Sequence, residues 1–194
     1  MTAPLDIVIM AAGKGTRMKS RHSKVLQKLA GRALLQHVLN TSASLKARSA
    51  VVITGHGATE VEAAITGAQG SESSFELKFV RQEPQLGTGH AVQQAVPALK
   101  DDGMVIVLSG DVPLTQADTL QALVDAAGGD KLALLTVSMP DPTGYGRIMR
   151  NEVGTVQRIV EQKDANEAER AITEVYSGIM AVPAKPLAQW LAKL

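Results

Sequence analysis

Positively charged side chains and glycines follow the first apolar segment of the chain. The segment Leu5–Ala12 is apolar except at Asp6 and runs directly into Gly13-Lys14-Gly15-Thr16-Arg17-Met18, with Lys24 further on. A glycine-broken loop at the end of a strand leaves backbone N–H groups free to bind an anion. Arg17 and Lys24 would add positive charge to such a loop. This arrangement predicts a binding site for a chain of phosphates.

The spacing of this loop differs from that of two common phosphate-binding loops. A P-loop has four residues between its first glycine and a Gly-Lys pair that is followed by Ser or Thr. No such spacing occurs here. The dinucleotide fingerprint needs a third glycine at the position of Met18, which disfavours a Rossmann dehydrogenase. The remaining alternative to a phosphate site is an ordinary strand-to-helix turn with two surface cations.

A candidate metal ligand follows a second apolar segment. Ser109-Gly110-Asp111 directly follows the apolar run Val105–Leu108. In an open α/β sheet, ligands gather at the carboxyl ends of the strands. Mg²⁺ prefers oxygen ligands and usually takes one or two protein carboxylates, with phosphates and water completing its shell. Asp111 therefore suits a divalent cation, and the alternative is that it only caps the turn into Pro113.

The composition indicates a single soluble domain and disfavours several classes of function. The chain has 194 residues, of which 45% are hydrophobic and 3% aromatic, and its formal net charge is +1. Nucleic-acid binding would favour a basic surplus or stacking aromatic side chains. The absence of cysteine excludes disulfides and thiolate chemistry. Since neither a signal-peptide pattern nor a membrane-length apolar run occurs, we expect a cytoplasmic protein that binds neither nucleic acid nor membranes.

Histidine and serine patterns add no further chemistry. His22, His37, His56 and His90 show no metal-ligand spacing, which favours structural or surface roles for all four. Ser109 does not lie in a Gly-x-Ser-x-Gly motif, so a serine hydrolase is unsupported.

The elements that must position these residues alternate between strands and helices. The predicted strands are Leu5–Ala11, Val51–Thr54, Leu77–Arg81, Val105–Leu108 and Leu132–Val137. The predicted helices are Leu34–Leu45, Glu60–Ile65, His90–Leu99 and Gln116–Ala126, the last with Thr115 as N-cap, Asp118 in its first turn and Gly128-Gly129 at its end. Continuously apolar strands between helices predict an α/β fold with a mostly parallel sheet covered on both faces.

The pattern changes after Met139. A turn-rich loop, 140–146, precedes two short β-like runs, Arg147–Arg150 and Val156–Glu161, which predict a hairpin or a small inserted sheet near the site. Further predicted elements are a solvated helix over Lys163–Arg170, a strand over Val175–Val182 and a helix over Pro186–Leu194.

Four segments, in the same order along the chain, resemble the sugar-1-phosphate nucleotidyltransferases. These are Ala11–Met18 with Lys24-Val25-Leu26, Gln82–Ala91, Gly144–Ile148 and Ile159–Ala165. Within that superfamily they are most similar to the uridylyltransferase domain of GlmU-type bifunctional enzymes. The resemblance covers nearly the whole chain.

This resemblance implies a fold and a reaction. The fold would be a Rossmann-like, mostly parallel sheet with helices on both faces and a small β insertion. The reaction would transfer uridylyl from UTP to N-acetylglucosamine-1-phosphate, giving UDP-N-acetylglucosamine and pyrophosphate for cell-wall precursor synthesis, with Mg²⁺ as cofactor. The alternatives are a nucleotidyltransferase for another sugar phosphate and a nucleotide-sugar-binding fragment without turnover.

The resemblance also assigns roles to individual residues. Arg17, Lys24 and Asp111 would be catalytic, with Asp111 binding Mg²⁺ together with an asparagine beyond Leu194. The substrate-binding residues would be Met10, Ala11, Ala12, Gly13, Lys24, Gln82, Gly87, Thr88, Ser109, Gly110, Asp111, Gly146, Glu161 and Tyr176.

Within this set the uracil and the sugar would have separate contacts. Gln82, Gly87 and Thr88 would recognise uracil, because an amide can donate and accept at once. Gly146 and Glu161 would contact the sugar. Tyr176 departs from the family pattern, which often has asparagine there.

The domain boundaries follow from the same resemblance. In the family the catalytic domain continues past the position of Leu194, and a left-handed β-helix acetyltransferase domain follows it. The hexapeptide repeats of that β-helix do not occur in this sequence. We therefore expect residues 1–194 to form a uridylyltransferase domain that is incomplete at its C-terminus, and the full-length family enzyme to be a homotrimer.

Overall fold

The computed structural model describes residues 3–13, 15, 20, 22–68 and 75–194, which divide into two compact units. The first unit comprises Met1–Ala133 and Met180–Leu194, and the second comprises Leu134–Ile179. Among the described residues, no helix has the length and apolar character needed to cross a membrane.

The first unit contains a parallel sheet. Its strands and helices are β1 (Leu5–Met10), β2 (Lys28–Leu29), β3 (Arg32–Ala33), α1 (Leu34–Ser44), β4 (Ser49–Thr54), α2 (Ala58–Ala68), β5 (Glu76–Arg81), α3 (Thr88–Ala95), β6 (Met104–Ser109) and α4 (Ala117–Ala127). The strand order is β5-β4-β1-β6, all parallel, and Met180–Pro183 pairs antiparallel with β6. Helix α6 (Ala184–Leu191) ends the unit.

The central strands are buried because apolar residues occupy both of their faces. Val8 of β1 belongs to a cluster with Val92 of α3 and Leu187 of α6. Strand alternation turns Ile7 and Ile9 to the opposite face, where helices α1, α2 and α4 supply their own buried residues. The predicted mostly parallel sheet between helical layers is therefore confirmed.

A polar cluster closes the amino-terminal edge of this sheet. Asp6 is 1% exposed, and its carboxylate accepts hydrogen bonds from Arg48 Nε at 3.1 Å and Ser49 Oγ at 2.7 Å. Arg48 also donates to Asp102 Oδ1 at 2.7 Å. The hydrogen bond to the Asp6 carboxylate is the main reason why the pKa of Arg48 is raised above its usual value, and the bond to Asp102 adds to it. The buried carboxylate is thus paired, as a charge in the interior of a protein must be.

The second unit is built from short strands and one helical turn. Its elements are β7 (Ala133–Ser138), β8 (Arg147–Arg150), β9 (Val156–Val160), α5 (Glu167–Arg170) and the Glu174–Ile179 part of β10 (Glu174–Pro183). β8 and β9 form an antiparallel hairpin, as predicted, and β10 pairs with β8 through Val175 and Arg147.

Three local predictions were wrong. Gln116, not Thr115, is the N-cap of α4, and Thr115 Oγ1 instead bonds the Val112 carbonyl at 3.5 Å. The helix predicted over Lys163–Arg170 spans only Glu167–Arg170, because Asn166 and Glu169 form a capping box that begins the helix there. The last helix begins at Ala184 and ends at Leu191, earlier at both ends than predicted.

Other local features agree with the sequence or add to it. Gly128 ends α4 in the left-handed conformation, with φ of 59°, as expected of a C-terminal glycine. The β2–β3 hairpin was missed, because two-residue strands carry no periodic signal.

We expect Gly103→Ala to destabilise the protein strongly. Gly103 has φ of +81°, and a Cβ there would lie 2.0 Å from the carbonyl oxygen of Pro4, so backbone would have to move. Gly129 has a similar φ of +90° with no atom within 4 Å of its Cβ position, which makes Gly129→Ala a matched control. The control should lower the free energy of unfolding by about 1–2 kcal/mol, and Gly103→Ala by about 3 kcal/mol or more. Equal losses in urea denaturation would contradict this packing.

Candidate functional site

A pocket of about 910 Å³ opens at the carboxyl ends of β1, β5 and β6 in the first unit. It is lined by Met10, Ala11, Ala12, Gly13, Gly15, Lys24, Val25, Gln82, Glu83, Pro84, Gln85, Gly87, Thr88, Ala91, Ser109 and Asp111. Parallel strands with this register end side by side, so Met10 of β1 lies opposite both Ile53 of β4 and Ser109 of β6. The volume falls within the range of small-molecule sites, about 300–1,000 Å³.

The pocket brings together most of the predicted nucleotide residues. Among the predicted set, Met10, Ala11, Ala12, Gly13, Lys24, Gln82, Gly87, Thr88, Ser109 and Asp111 line it. Arg17 lies outside the described residues.

Gly110 lies in the turn beneath the pocket, and its role in substrate binding stays a prediction. It is not one of the lining residues, and its amide donates to the Met10 carbonyl at 2.9 Å. A Cβ at this position would lie 3.3 Å from both Leu35 and Val25 side chains. The small size of this residue therefore allows close packing of the turn against Leu35 and Val25.

The loop after β1 is held beside Lys24. The Ala11 amide donates to the Ile53 carbonyl at 2.8 Å, which continues the strand pairing beyond Met10. Gly15 has φ of +58°, and a Cβ there would lie 3.1 Å from Lys24 Cβ. A side chain at Gly15 would thus be both strained and crowded, so a glycine at this position allows its backbone to lie close to Lys24.

Lys24 and Asp111 form an ion pair within the pocket. Lys24 begins a 3₁₀ turn, Lys24–Leu26, and its Nζ donates to Asp111 Oδ2. Both side chains keep access to solvent, at 40% and 25% relative exposure. A base and an acid from distant parts of the sequence therefore neutralise each other where a charged ligand would bind.

The donor set around Asp111 fits one kind of metal site. Within the described part of the chain, no group of three or more His, Cys, Asp or Glu residues could hold a metal ion. A closed, all-protein cage is thus unsupported by these residues. An accessible single carboxylate in a pocket large enough for phosphates suits Mg²⁺, which commonly shares its shell between one carboxylate and substrate oxygens.

The far side of the pocket is formed by the segment from β5 into α3. Gln82 is 3% exposed, and its Nε2 donates to the Gly87 carbonyl at 2.9 Å. Gly87 has φ of +106° and is the N-cap of α3, a conformation that favours glycine. Its carbonyl also accepts from the Ala91 amide at 3.1 Å. Gly87 therefore fixes the turn and the Gln82 side chain together.

Sequence reasoning missed the lining residues between these two positions. Glu83, Pro84 and Gln85 also line the pocket, and the Glu83–Pro84 peptide bond is cis. A Cβ on Gly55 would lie 2.7 Å from Gln85 Nε2 and 2.9 Å from Ala12 Cβ. Gln82 and Gly87 were both predicted to bind the substrate. The short segment that joins them could therefore also have been predicted to line the site.

The predicted sugar-binding residues lie together in the second unit. The Tyr176 amide donates to the Gly146 carbonyl at 2.9 Å. A Cβ on Gly146 would lie 2.7 Å from Ile159 Cγ2 and 3.4 Å from Glu161 Oε1, so Gly146 faces the Glu161 carboxyl group. Burial raises the pKa of the Tyr176 phenol to about 12, which keeps this hydroxyl protonated as a donor at neutral pH.

A buried arginine supports the loop that carries Gly146. Arg147 is 1% exposed and donates to the Tyr145 and Arg170 carbonyls and, at 2.6 Å, to Gln162 Oε1. Gln162 Oε1 also accepts from the Gly144 amide at 3.2 Å. Arg147 therefore joins the 144–146 turn to Gln162, which follows β9, and to α5 through neutral oxygens.

Comparison with known proteins identifies the family. Residues 7–176 match the model of the MobA-like NTP transferase domain. The chain belongs to this family. Its fold is also that of two solved nucleotidyltransferases. The crystal structure of UDP-glucose pyrophosphorylase complexed with UDP-glucose has a TM-score of 0.79 and 15% identity, covering 98% of this chain and 80% of that one. A putative glucose-1-phosphate thymidylyltransferase from Bacillus anthracis has a TM-score of 0.78 and 17% identity, covering 95% and 73%.

Curated relatives of this NTP transferase domain are much closer in sequence. The bifunctional protein GlmU of Acidovorax sp. (strain JS42) is 76% identical over 194 residues, which cover 100% of this chain and 40% of that protein. That of Albidiferax ferrireducens is 70% identical over 190 residues, covering 98% and 41%. The chain thus spans about two fifths of the length of these relatives. The predicted resemblance to GlmU-type enzymes is confirmed.

We expect the Tyr176 phenol to ionise late in an alkaline titration. Because burial favours the neutral form, tyrosinate absorbance at 295 nm should show a step near pH 12 that disappears in Tyr176→Phe. The folded-state pKa lies above that of the unfolded chain, so this group's contribution to stability is complete below about pH 10 and is lost as the pH rises toward 12. In 8 M urea the late step should vanish. A wild-type titration identical to the urea titration would contradict the burial of this phenol.

Proposed function

We propose that this NTP transferase domain transfers uridylyl from UTP to N-acetylglucosamine-1-phosphate, releasing pyrophosphate and giving UDP-N-acetylglucosamine. The observation that carries the proposal is that one pocket in the first unit brings together Gly13, Gly15, Lys24, Gln82 and Asp111. The 76% identity to a bifunctional protein GlmU over the whole chain supports the choice of substrates.

The reaction needs little proton chemistry from the protein. A phosphate oxygen of the sugar phosphate is already ionised at neutral pH, so it can attack the α-phosphorus of UTP without a strong general base. Bond formation to the α-phosphorus breaks its bond to the bridging oxygen, and pyrophosphate leaves with that electron pair. Catalysis then depends on alignment of the two phosphates and on neutralisation of their charge.

Basic side chains of the glycine loop and the 3₁₀ turn would supply that neutralisation. Arg17 is assigned to the departing β- and γ-phosphates. The Lys24 ammonium has three hydrogens, so it can keep its bond to Asp111 while donating to phosphate oxygens. Ala12 and Gly13 line the same pocket, and their backbone amides would suit oxygen acceptors.

Asp111 would hold Mg²⁺ together with phosphate oxygens. When bound, this ion would supply positive charge that draws electron density from the α-phosphate. Lys24 would keep the Asp111 carboxylate turned toward the pocket. A second protein ligand, an asparagine beyond Leu194, is part of the proposal through the resemblance alone.

The second unit would recognise the sugar. The Glu161 carboxylate can accept hydrogen bonds from sugar hydroxyls, and the lack of a side chain at Gly146 lets its backbone pack close to that carboxylate. Tyr176 supplies a protonated phenol where related enzymes often have an amide. That difference favours a second candidate, uridylyl transfer to another sugar-1-phosphate, which a panel of sugar phosphates would detect.

The wider proposal follows the resemblance to GlmU-type enzymes. This chain would be the uridylyltransferase part of a cytoplasmic bifunctional enzyme that supplies cell-wall and lipopolysaccharide precursors. The full-length enzyme would be a homotrimer with an acetyltransferase domain.

We expect pyrophosphate release that requires UTP, N-acetylglucosamine-1-phosphate and Mg²⁺ together. The assay should be run on the 194-residue chain and on a chain extended beyond Leu194, since the second metal ligand is proposed to lie there. Asp111→Asn should lower kcat/KM about 100-fold or more, because the substitution removes the charge that holds the metal. Asp118→Asn, an exposed aspartate in the first turn of α4, is the matched control. Full activity of Asp111→Asn, or no release from either wild-type chain, would contradict the proposal.

We expect Glu161→Gln to affect the sugar phosphate selectively. A glutamine keeps the shape but accepts weaker hydrogen bonds than a carboxylate, so KM for N-acetylglucosamine-1-phosphate should rise about tenfold. KM for UTP should change less than twofold. Glu152→Gln, in the exposed turn of the β8–β9 hairpin, should leave both values unchanged. An equal rise in both KM values would remove Glu161 from the sugar site.

A further inference from the structure

His90 stands next to the base side of the pocket, although its sequence context indicated only a structural or surface role. It is half-buried in the first turn of α3. Its ring Nδ1 lies 3.1 Å from Gln82 Nε2, and its Nε2 lies 3.2 Å from the amide nitrogen of Gln94. The imidazole therefore lies between two glutamine side chains, only one of which lines the pocket.

The Gly87 carbonyl identifies which end of the Gln82 amide is the nitrogen. A carbonyl oxygen can only accept, so the Gln82 atom 2.9 Å away must be the nitrogen Nε2. The opposite orientation would place two oxygens 2.9 Å apart around a side chain that is 3% exposed. The second hydrogen of Nε2 then points to His90 Nδ1, which must be unprotonated to accept it. The proton of the neutral ring is thus on Nε2.

The Gln94 amide is the group that must adapt to this tautomer. His90 Nε2–H needs an acceptor, and Gln94 supplies one when its oxygen faces the ring. In that orientation Gln94 loses the 3.3 Å contact between its Nε2 and the His90 carbonyl. It gains a hydrogen bond from His90 Nε2–H to its own Oε1. The exchange costs less than turning Gln82, because Gln94 is only half-buried and the contact that it loses is longer.

This network leaves Gln82 with only an acceptor for a ligand. Both hydrogens of Nε2 are engaged, by Gly87 and by His90, and no donor among the described residues bonds Oε1. The uracil ring has a donor, N3–H, where cytosine has a bare acceptor nitrogen. An acceptor at Gln82 therefore attracts the first ring and repels the second.

We infer that His90 is a positioning residue that sets base selectivity: its unprotonated Nδ1 and the Gly87 carbonyl hold the Gln82 amide with its oxygen toward the base, which favours pyrimidines that carry N3–H over cytosine. The inference rests on the proposed function, because it takes the ligand to be a pyrimidine nucleotide whose base lies at Gln82. Toward the base, the Gln82 amide would then act only as an acceptor, whereas the sequence alone allowed it to donate or to accept.

Calorimetric binding of UTP and CTP to the wild-type chain and to two His90 variants tests this role. His90→Phe keeps the ring volume but removes the acceptor, so UTP affinity should fall about tenfold and the preference for UTP over CTP should fall at least fivefold. His90→Asn can place its oxygen near the position of Nδ1 and should restore both values to within about threefold of wild type. His37→Phe, which removes an imidazole bonded to the Leu29 carbonyl at 2.9 Å, is the matched control.

The outcomes separate this inference from the proposed reaction. If His90→Phe weakens UTP and CTP by the same factor, or if His90→Asn behaves like His90→Phe, the positioning role is wrong even when the wild-type chain prefers UTP and releases pyrophosphate. Equal wild-type affinities for UTP and CTP would also overturn it, whatever the turnover.

A measurement on the unmodified chain supplies an independent test. Long-range ¹H–¹⁵N spectra of the wild-type protein report which ring nitrogen of each histidine carries the proton. His90 should show the proton on Nε2, and a proton on Nδ1 would overturn the inference.

Discussion

The register of the parallel strands is the constraint on which the candidate nucleotide site depends. Met10 lies opposite Ile53 on one side and Ser109 on the other, so the chain leaves β1 and β6 at the same edge. Ile7 and Ile9 are fully buried between helical layers, and a one-residue slip would move them to the opposite face. The register that buries these residues therefore also brings Gly13 and Gly15 into one pocket with Asp111. At the other edge, Asp6 and Arg48 satisfy each other's charge.

Much of this arrangement could be predicted from the sequence, for physical reasons that differ between elements. Continuously apolar segments such as Val105–Leu108 identify buried parallel strands, and the order of strands and helices then limits the topology. The pocket residues at strand ends, Ser109 and Asp111 among them, follow from that topology. The end of α4 at Gly128 could also be predicted, because the left-handed conformation at a helix end favours glycine.

What could not be predicted depends on contacts between residues that are distant in the sequence. The pairing of Lys24 with Asp111 and the closeness of Gly15 to Lys24 Cβ appear only when the loops are assembled. Gly110 illustrates the same limit, since its close packing against Val25 and Leu35 is visible only in the folded chain. Helix α5 is short for a local reason. The capping box of Asn166 and Glu169 determines where the helix begins, so the charged residues before Asn166 are not part of it.

Both units hold polar side chains in place with backbone carbonyl oxygens, and this has a functional consequence. Arg147 is buried and donates to the Tyr145 and Arg170 carbonyls, while Gln82 donates to the Gly87 carbonyl. A carbonyl oxygen cannot change its hydrogen-bonding role, whereas a carboxylate or an imidazole can gain a proton. These backbone carbonyls therefore help to fix the orientation of each side chain. In the pocket the charged groups are different, because Lys24 and Asp111 remain accessible and pair with each other. Lys24 and Asp111 could therefore exchange partners with a charged ligand, whereas the Gly87 carbonyl restrains the Gln82 amide.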